Sequence, residues 1–389
     1  MAYRNTIFNQ ILQFVSRHDF KQIEKDGYQP KRKYRSLDRW GQFCTMLFAQ
    51  LTGQRSLRDL TSQMVYNSKK LYHIGLKPVR RSTLSDANGY RDAGFFEKLF
   101  ERQYKRCATV APRHRFRFKN KLYSFDSSTV DLCLKLFPWA SFRKTKAGIK
   151  LHTLVDHDGY IPCFVNITEA KVPDIQAAVA LLTLPKNSIV AMDRGYVDFG
   201  LFNQLTRRQV YFVTRMKKRI KHTIIERRPV LKSKGITSDQ TIRFTSQKGV
   251  KLCPIKIRKI GYRDPNSGKH YVFITNNFTL SAISIAGIYK DRWQVELFFK
   301  WIKQNLKIKS FLGTSKNAVM TQVWIALIAM LLIAFIKFMS RFNQSLKDIL
   351  RLLQLNLFDT RSISNIFDNP SPPYKLQDRR QLSLFINNF

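Results

Sequence analysis

Apolar residues in the first hundred positions recur at helical spacing. Ile7, Phe8, Ile11, Leu12 and Phe14 fall near one side of a helix, and Leu37–Leu51 is a second, mostly apolar helix that Gly53 ends. Ser56–Val65 (SLRDLTSQMV) opens with Ser56 in the N-cap position and Asp59 three residues on, a capping-box-like start. Lys77–Pro78 breaks the chain. Ser82 is then placed to cap the run STLSDANGYRD, with Arg80 and Arg81 just ahead of it. Two short helices, a break and a basic-flanked helix suit a helix-turn-helix and, equally, an ordinary small helical bundle. His114–Lys121 (HRFRFKNK) interleaves basic and aromatic residues, as a linker along phosphates would, or the edge of the next strand.

From about residue 121 the pattern becomes strand-like. Leu122–Asp126 is a short run ending in a carboxylate. Leu151–Val155 and Ile161–Ile167 flank Asp156-His157-Asp158-Gly159, a hairpin turn with the Asp-Gly signature. Pro173 starts a helix through Ile175, Ala178, Val179 and Leu182. Ile189–Met192 is an apolar strand running into Asp193-Arg194-Gly195-Tyr196, followed by a helix, Phe199–Leu205, and a strand, Val210–Thr214. Three strands with a hairpin, then alternating helices and strands, is the order of an RNase-H-like mixed sheet, and the expected class is α+β. Residues 217–280 read as a β-rich insertion with alternating runs at Ile242–Thr245, Leu252–Ile260 and Tyr271–Thr275, a turn at Ser267–Lys269, and many Lys and Arg.

Asn317–Ile336 carries no charge, and Val323–Ile336 (VWIALIAMLLIAFI) is nearly all apolar. That strictly apolar part falls short of the roughly 20 residues a membrane span needs, so it reads as a buried core helix. The expected organisation is an all-α N-terminal domain over 1–115, an RNase-H-like core with its insertion over 116–340, and a helical tail over 341–389 suited to dimerisation.

Charge narrows the function. The 389 residues include 68 Lys and Arg against 26 Asp and Glu, a formal net charge of +42. Solubility of a small domain needs a net charge of only about 2–8, so the excess points to a polyanionic partner, nucleic acid ahead of an anionic membrane. A 44% hydrophobic fraction argues against a disordered basic chain. Cys44, Cys107, Cys133, Cys163 and Cys253 stand far apart with no CxxC pair, which supports neither a zinc ribbon nor a disulfide framework and fits a reducing compartment. Met1–Asp26 is polar and amphipathic rather than a signal peptide.

The chemistry concentrates in Ile285–Lys309 (IAGIYKDRWQVELFFKWIKQNLKIK). On one helix at about 100° per residue, Tyr289, Arg292, Glu296, Lys300 and Lys303 share a stripe roughly 80° wide. Ile288, Val295, Phe299, Ile302 and Leu306 line one side and Trp293, Leu297 and Trp301 the other, so the helix should be largely buried. A buried charged stripe is costly unless paired or bound. One acid among two Lys, an Arg and a Tyr suits phosphates, with the acid left for a metal. A set of i,i+4 ion pairs on a solvated face is the plainer reading, and the apolar flanks argue against it. Metal-dependent phosphoryl transfer gathers carboxylates from distant parts of a chain. Asp126 and Asp193 end strands that are neighbours in an RNase-H-like sheet, although each alone reads as a strand-end turn residue.

Tyr289-x2-Arg292-x3-Glu296-x6-Lys303 resembles the Y-(2)-R-(3)-E-(6)-K signature of bacterial insertion-sequence transposases of family 4. Asp193-Arg194-Gly195-Tyr196 resembles that family's second-Asp signature, and Asp126 in YSFDSSTV matches the position of its first Asp. The resemblance covers roughly residues 1–340. It implies a DDE triad of Asp126, Asp193 and Glu296 binding two divalent ions, Mg²⁺ or Mn²⁺. It implies that Tyr289, Arg292 and Lys303 hold phosphates at the transposon end, with Lys300 joining them from the same stripe. Trp293 becomes a candidate for stacking on an unpaired or flipped base during hairpin formation, with a core role the equal alternative. The implied chemistry is cut-and-paste. Water attacks at the terminal inverted repeats, a hairpin forms and is opened, and the freed 3′-OH attacks target DNA, with no covalent protein–DNA intermediate. The implied partners are end and target DNA and a second copy of the chain in a synaptic complex, in a bacterial cytoplasm at the nucleoid, with no membrane and no small-molecule cofactor.

Weaker candidates accompany these. Arg80 and Arg81 are placed to touch DNA, and the run Arg215, Lys217, Lys218 and Arg219 to follow phosphates. His152 reads as structural, and Asp156, Asp158 and Asp174 as turn or cap residues. Rival functions are a structure-selective nuclease or resolvase on the same fold, and a non-catalytic DNA-binding protein with structural carboxylates.

Overall fold

The computed structural model describes residues 5–30, 34–72, 74–178, 183–230, 234–306, 308, 310–340 and 342–367. Among these, seven helices come first: α1 (Ile7–Gln13), α2 (Arg17–Lys25), α3 (Arg39–Thr52), α4 (Leu57–Tyr66), α5 (Ser68–Tyr72), α6 (Arg81–Tyr90) and α7 (Gly94–Ala108). Their starts follow side-chain capping. Thr6, Ser16, Asp38 and Ser56 each accept a hydrogen bond from the backbone N–H three residues on. Gly53 closes α3 in the left-handed conformation at φ +69°. Helix α6 differs from expectation. It starts at Arg81 with Arg80 as an N-cap that makes no side-chain bond, and Ser82 lies inside the first turn. Val79, buried just after Pro78, fixes where the chain enters the helix.

The strands and their intervening helices are β1 (Leu122–Leu132), β2 (Ser141–Arg143), β3 (Lys146–Asp156), β4 (Ile161–Glu169), α8 (Asp174–Ala177), β5 (Ile189–Met192), α9 (Phe199–Arg207), β6 (Tyr211–Arg215), β7 (His222–Arg227), β8 (Ile236–Phe244), α10 (Gln247–Leu252), β9 (Ile257–Arg263) and β10 (His270–Thr275). Of the helix expected from Pro173, Val179 and Leu182 lie outside the described residues. The sheet runs β2-β3-β1-β5-β6-β10-β9-β8-β7, with β4 also on β3. Pairs β1–β5 and β5–β6 are parallel, and the others are antiparallel. The hairpin-plus-parallel half is the RNase-H-like core. The insertion continues the same sheet from β6, through β10.

Strand β1 is longer than its apolar run suggested. Beyond Phe125 it keeps pairing with β3 as far as Leu132↔Ala147, whereas its ladder with β5 stops at Phe125↔Met192. Asp126 is therefore within β1, at the point where β1 loses its β5 neighbour. Asp193 stands at the matching end of β5.

The chain continues as α11 (Ala282–Asp291), α12 (Gln294–Asn305), α13 (Lys316–Ser340), α14 (Leu346–Asn356) and α15 (Ile363–Phe367). Helix α13 is long and apolar enough to cross a membrane, yet 94% of its most apolar window is buried within the fold. It packs on α3, α6, α7, α12, α14 and β4, which explains apolar residues all round it. Helices α1–α7 and α12–α15 share one apolar core with the face of β1, β3 and β4 that carries Val130, Ile149 and Val165. The stretch after α14 returns to the start of the chain, where the Ile7 and Phe8 amides donate to the Asp359 and Leu357 carbonyls at 3.0 and 2.9 Å. Residues 368–389 of the proposed tail lie outside the described residues.

Ile328 is fully buried in the middle of α13. Ile328→Ala should cost about 2–5 kcal/mol of stability in urea denaturation, because the cavity forms where the helix is enclosed on every side.

Candidate active site

Strands β1 and β5 and helices α11 and α12 bring the signature residues to the edge where β1 and β5 part. Asp193 N-caps a 3₁₀ turn at Arg194–Tyr196, its Oδ2 accepting from the Gly195 N–H at 3.5 Å. The Tyr289 hydroxyl, on α11, donates to Asp193 Oδ1 at 3.5 Å. Arg292 lies between the other two acids, donating through Nη1 to Asp126 Oδ2 at 2.9 Å and through Nη2 to Glu296 Oε1 at 2.8 Å. The Lys303 ammonium donates to Ser128 Oγ and to the Thr129 carbonyl, both at 2.7 Å, and so ties α12 to β1.

The expected single helix over 285–309 is interrupted. Arg292 and Trp293 separate α11 from α12. The amides of Trp293, Val295 and Glu296 donate to the carbonyls of Lys290, Arg292 and Trp293, three residues back, so this turn is tightened. The burial is also one-sided. Val295, Phe299 and Ile302 are buried as expected, whereas Trp293 is 56% exposed and Leu297 43%. Trp293 is thus not a core residue. Lys300 is exposed on α12.

Burial pushes the Asp126 carboxyl up to about 6, with the charges of Asp193 and Glu296 adding to the rise and the Ser127 amide and Arg292 opposing it. Burial opposes the charge on Arg292, but Glu296, Asp126, Tyr289 and Asp193 outweigh it and hold the guanidinium above its ordinary value. Arg292 Nε is buried without a partner among the described residues. Those residues include no ready-made cluster of three His, Cys, Asp or Glu. Instead a guanidinium bridges two of the three carboxylates. The hard oxygens of Asp126, Asp193 and Glu296 are the donors this edge offers to a divalent cation.

A second, buried network went unread in the sequence. Asp291, the residue before Arg292, accepts from Arg115 Nη2 at 2.6 Å and from the Tyr160 hydroxyl at 3.0 Å, and lies 2.8 Å from His157 Nδ1. His157 Nε2 lies 2.6 Å from Ser124 Oγ, two residues before Asp126. Burial opposes the Asp291 charge, but the bond to His157 and the charges of His157 and Arg115 hold its carboxyl below the ordinary range. The turn that carries His157 is closely backed: at Gly159, φ +74°, a Cβ would lie 2.7 Å from the Phe338 ring. Asp156 and Asp158, expected as turn residues, both pair with Lys121. Only the hairpin turn was visible in sequence; nothing local tied it to Asp291.

The remaining candidates lie apart from the three acids or beside them. Arg80 and Arg81 are exposed at the start of α6. On the opposite sheet face, Asp174 accepts from Ser127 Oγ at 2.8 Å and pairs with Lys150 at 3.1 Å, while His152 reaches Thr168. Arg215 ends β6 with its guanidinium 5.0 Å from the Tyr271 ring. Lys217 and Lys218 follow, and Lys217 donates to the Val197 carbonyl. Beside Asp193, Tyr262, Tyr271, Phe273 and Tyr289 line a cavity of about 390 Å³ that Trp293 also borders.

Protonation of Asp126 competes with any cation it binds, and its carboxyl is protonated below about pH 6. Mn²⁺ affinity, read by electron paramagnetic resonance, should be nearly flat above about pH 7 and fall by up to about tenfold per unit below pH 6. Affinity independent of pH across that range would remove Asp126 from the ion.

Residues 117–332 match the family model described as "Transposase DDE domain", and residues 3–77 match a domain of unknown function, DUF4372. A Sinorhizobium fredii protein named "Putative transposase y4zB" is 32% identical over 312 residues, covering 78% of this chain and 84% of its own length. A Geobacillus stearothermophilus protein named "Probable transposase for insertion sequence element IS5377" is 31% identical over 226 residues, covering 58% of this chain and 59% of its own. A solved piggyBac transposase synaptic complex with hairpin DNA aligns at TM-score 0.46 and 10% identity, covering 96% of this chain and 81% of that one, too distant to carry an argument. DDE domains generally imply divalent metal ions. With the family model spanning over half of its length and a relative above 30% identity largely covered, the chain belongs to the DDE-domain transposases of insertion sequences.

Proposed function

We propose that this transposase cuts DNA at terminal inverted repeats and joins the freed ends to target DNA by a cut-and-paste route through hairpin ends. The observation that carries the reading is the shared grip of Arg292 on Asp126 and Glu296, at the edge where Asp193 ends the neighbouring strand. Asp126, Asp193 and Glu296 are the proposed triad and would hold two Mg²⁺ or Mn²⁺ ions. When bound, such ions polarise the scissile phosphate and make water a stronger nucleophile. The chain's own residues bind and orient. Tyr289, Arg292, Lys300 and Lys303 face the backbone of the strand being cut, and Arg292 exchanges its carboxylates for a phosphate when cations take over that role. In each step an oxygen nucleophile displaces a 3′-oxygen at phosphorus, first water, then the freed 3′-OH on the opposite strand, then water at the hairpin, then the 3′-OH on target DNA.

Exposed Trp293, beside the aromatic cavity, supports the hairpin step, because a tight hairpin needs an unpaired base and an aromatic surface stabilises it by about 1–3 kcal/mol. Arg80 and Arg81, on the exposed start of α6, would touch the inverted repeat. A homodimer would hold two ends in a synaptic complex, in the bacterial cytoplasm at the nucleoid.

Glu296→Gln should bind end DNA with unchanged affinity and lose Mg²⁺-dependent nicking by at least about a thousandfold. Full nicking by that variant on a denaturing gel would remove Glu296 from the triad. In the same assay Trp293→Ala should nick normally while hairpin yield falls about tenfold or more; equal loss of nick and hairpin would instead place Trp293 in end binding.

A further inference from the structure

The β9–β10 ladder has two unlike faces near Asp193. Tyr271 pairs with Tyr262 and Phe273 with Ile260, and Phe273 packs on Tyr289 of α11 with ring centres 4.8 Å apart. The alternate residues, Val272 and Lys259 among them, point to the other face, where Ile274 joins the core around α9. There a cleft of about 300 Å³ is lined by Arg194, Arg215, Lys217, Lys218, His222 and Lys259, and no acid lines it among the described residues. None of its Lys or Arg side chains has a salt-bridge partner among those residues. Lys259 Nζ instead lies 3.0 Å from His222 Nε2.

Crowded cations without an acid repel one another, and the repulsion is relieved by an anion with several oxygens. Burial, and then the positive charge of Arg227, hold the Lys259 ammonium below its ordinary value, which agrees with an anion-ready cleft. The cleft shares Arg215 with the aromatic cavity beside Asp193, so it opens at the same edge as the proposed triad. The phosphate-facing residues of α11 and α12 sit on the opposite sheet face.

We propose that this cleft seats backbone phosphates of a second DNA strand, the one that α11 and α12 do not hold. The inference rests on the transposase chemistry proposed above, in which two strands must meet at one set of carboxylates. The shared chemistry is the phosphodiester; its source is target DNA or the opposite strand of the transposon end.

The test uses full-length Lys259→Ala beside wild type, Lys259→Arg and Glu296→Gln, with labelled end duplex, pre-cleaved ends and plasmid target. Lys259→Ala should nick the end within about twofold of wild type. With target as the source, joining of pre-cleaved ends falls about tenfold at moderate salt, the log–log salt slope shrinks by about one, and Lys259→Arg restores most of the joining. With the opposite end strand as the source, joining of pre-cleaved ends is normal and hairpin yield falls instead. Normal joining together with normal hairpins would overturn the cleft, as would an equal loss of nicking. If wild type nicks and Glu296→Gln does not, the catalytic reading stands whichever way Lys259 falls. If wild type fails to nick, that reading fails and takes the cleft with it.

Discussion

The bridge from Arg292 to Asp126 and Glu296 is the interaction on which this edge of the molecule depends. Three carboxylates are brought toward one place by β1, β5 and α12, and like charges at such range repel strongly in a partly buried setting. A guanidinium that is nine-tenths buried offsets that repulsion with two charge-assisted hydrogen bonds. The raised Asp126 carboxyl shows that the offset is incomplete, since burial and the neighbouring acids still favour its neutral form. Such a site holds its acids together while a cation stands among them or a proton neutralises one of them.

Arg292 can do this because its own position is set from behind. The backbone ladder is tightened at Arg292–Trp293, so helix geometry alone does not determine how α12 sits relative to α11. Asp291 supplies the missing tie. Its carboxylate is bound to Arg115, Tyr160 and His157, and His157 continues to Ser124 on β1. The strand of Asp126 and the helix junction of Arg292 are thereby linked through buried polar groups, where an unmatched partner is costly. The hydrophobic core does the rest. Val295, Phe299 and Ile302 seat α12 on the sheet, and α13 backs it with apolar surface in every direction.

The sheet divides the surroundings of this edge. One face carries α11 and α12 with their aromatic and cationic side chains; the other carries α8, α9 and α10 over a separate apolar cluster. The insertion extends both faces, because its strands continue the sheet from β6. Alternation along β9 and β10 then places aromatic rings on one side and Lys259 on the other, where Arg194, Lys217 and Lys218 from other segments join it, a division that a net charge of +42 alone could not have located.

Local chemistry determined much of this protein from its sequence. Ser56 marked the start of α4, whereas Ser82 did not mark that of α6; the Asp-Gly turn marked the β3–β4 hairpin, and strand order marked the mixed sheet. Helical spacing singled out Tyr289, Arg292, Glu296, Lys300 and Lys303, and strand ends together with the family resemblance pointed to Asp126 and Asp193; the fold brings all of these but Lys300 to one edge, while Lys300, Arg80 and Arg81 remain exposed outside its hydrogen bonds. Other features were decided only by tertiary structure. The exposure of Trp293 depends on which side of α12 meets β1, and the tightened turn shifts that phase. The length of β1 depends on β3 continuing alongside it after β5 has ended. Asp291 and His157 are 134 residues apart, and neither carries a local sign of the other. Periodicity and caps arise from interactions within a few residues and are legible in the chain itself. The pairing of buried polar groups depends on which distant segments the core brings into contact, and only the folded molecule decides that.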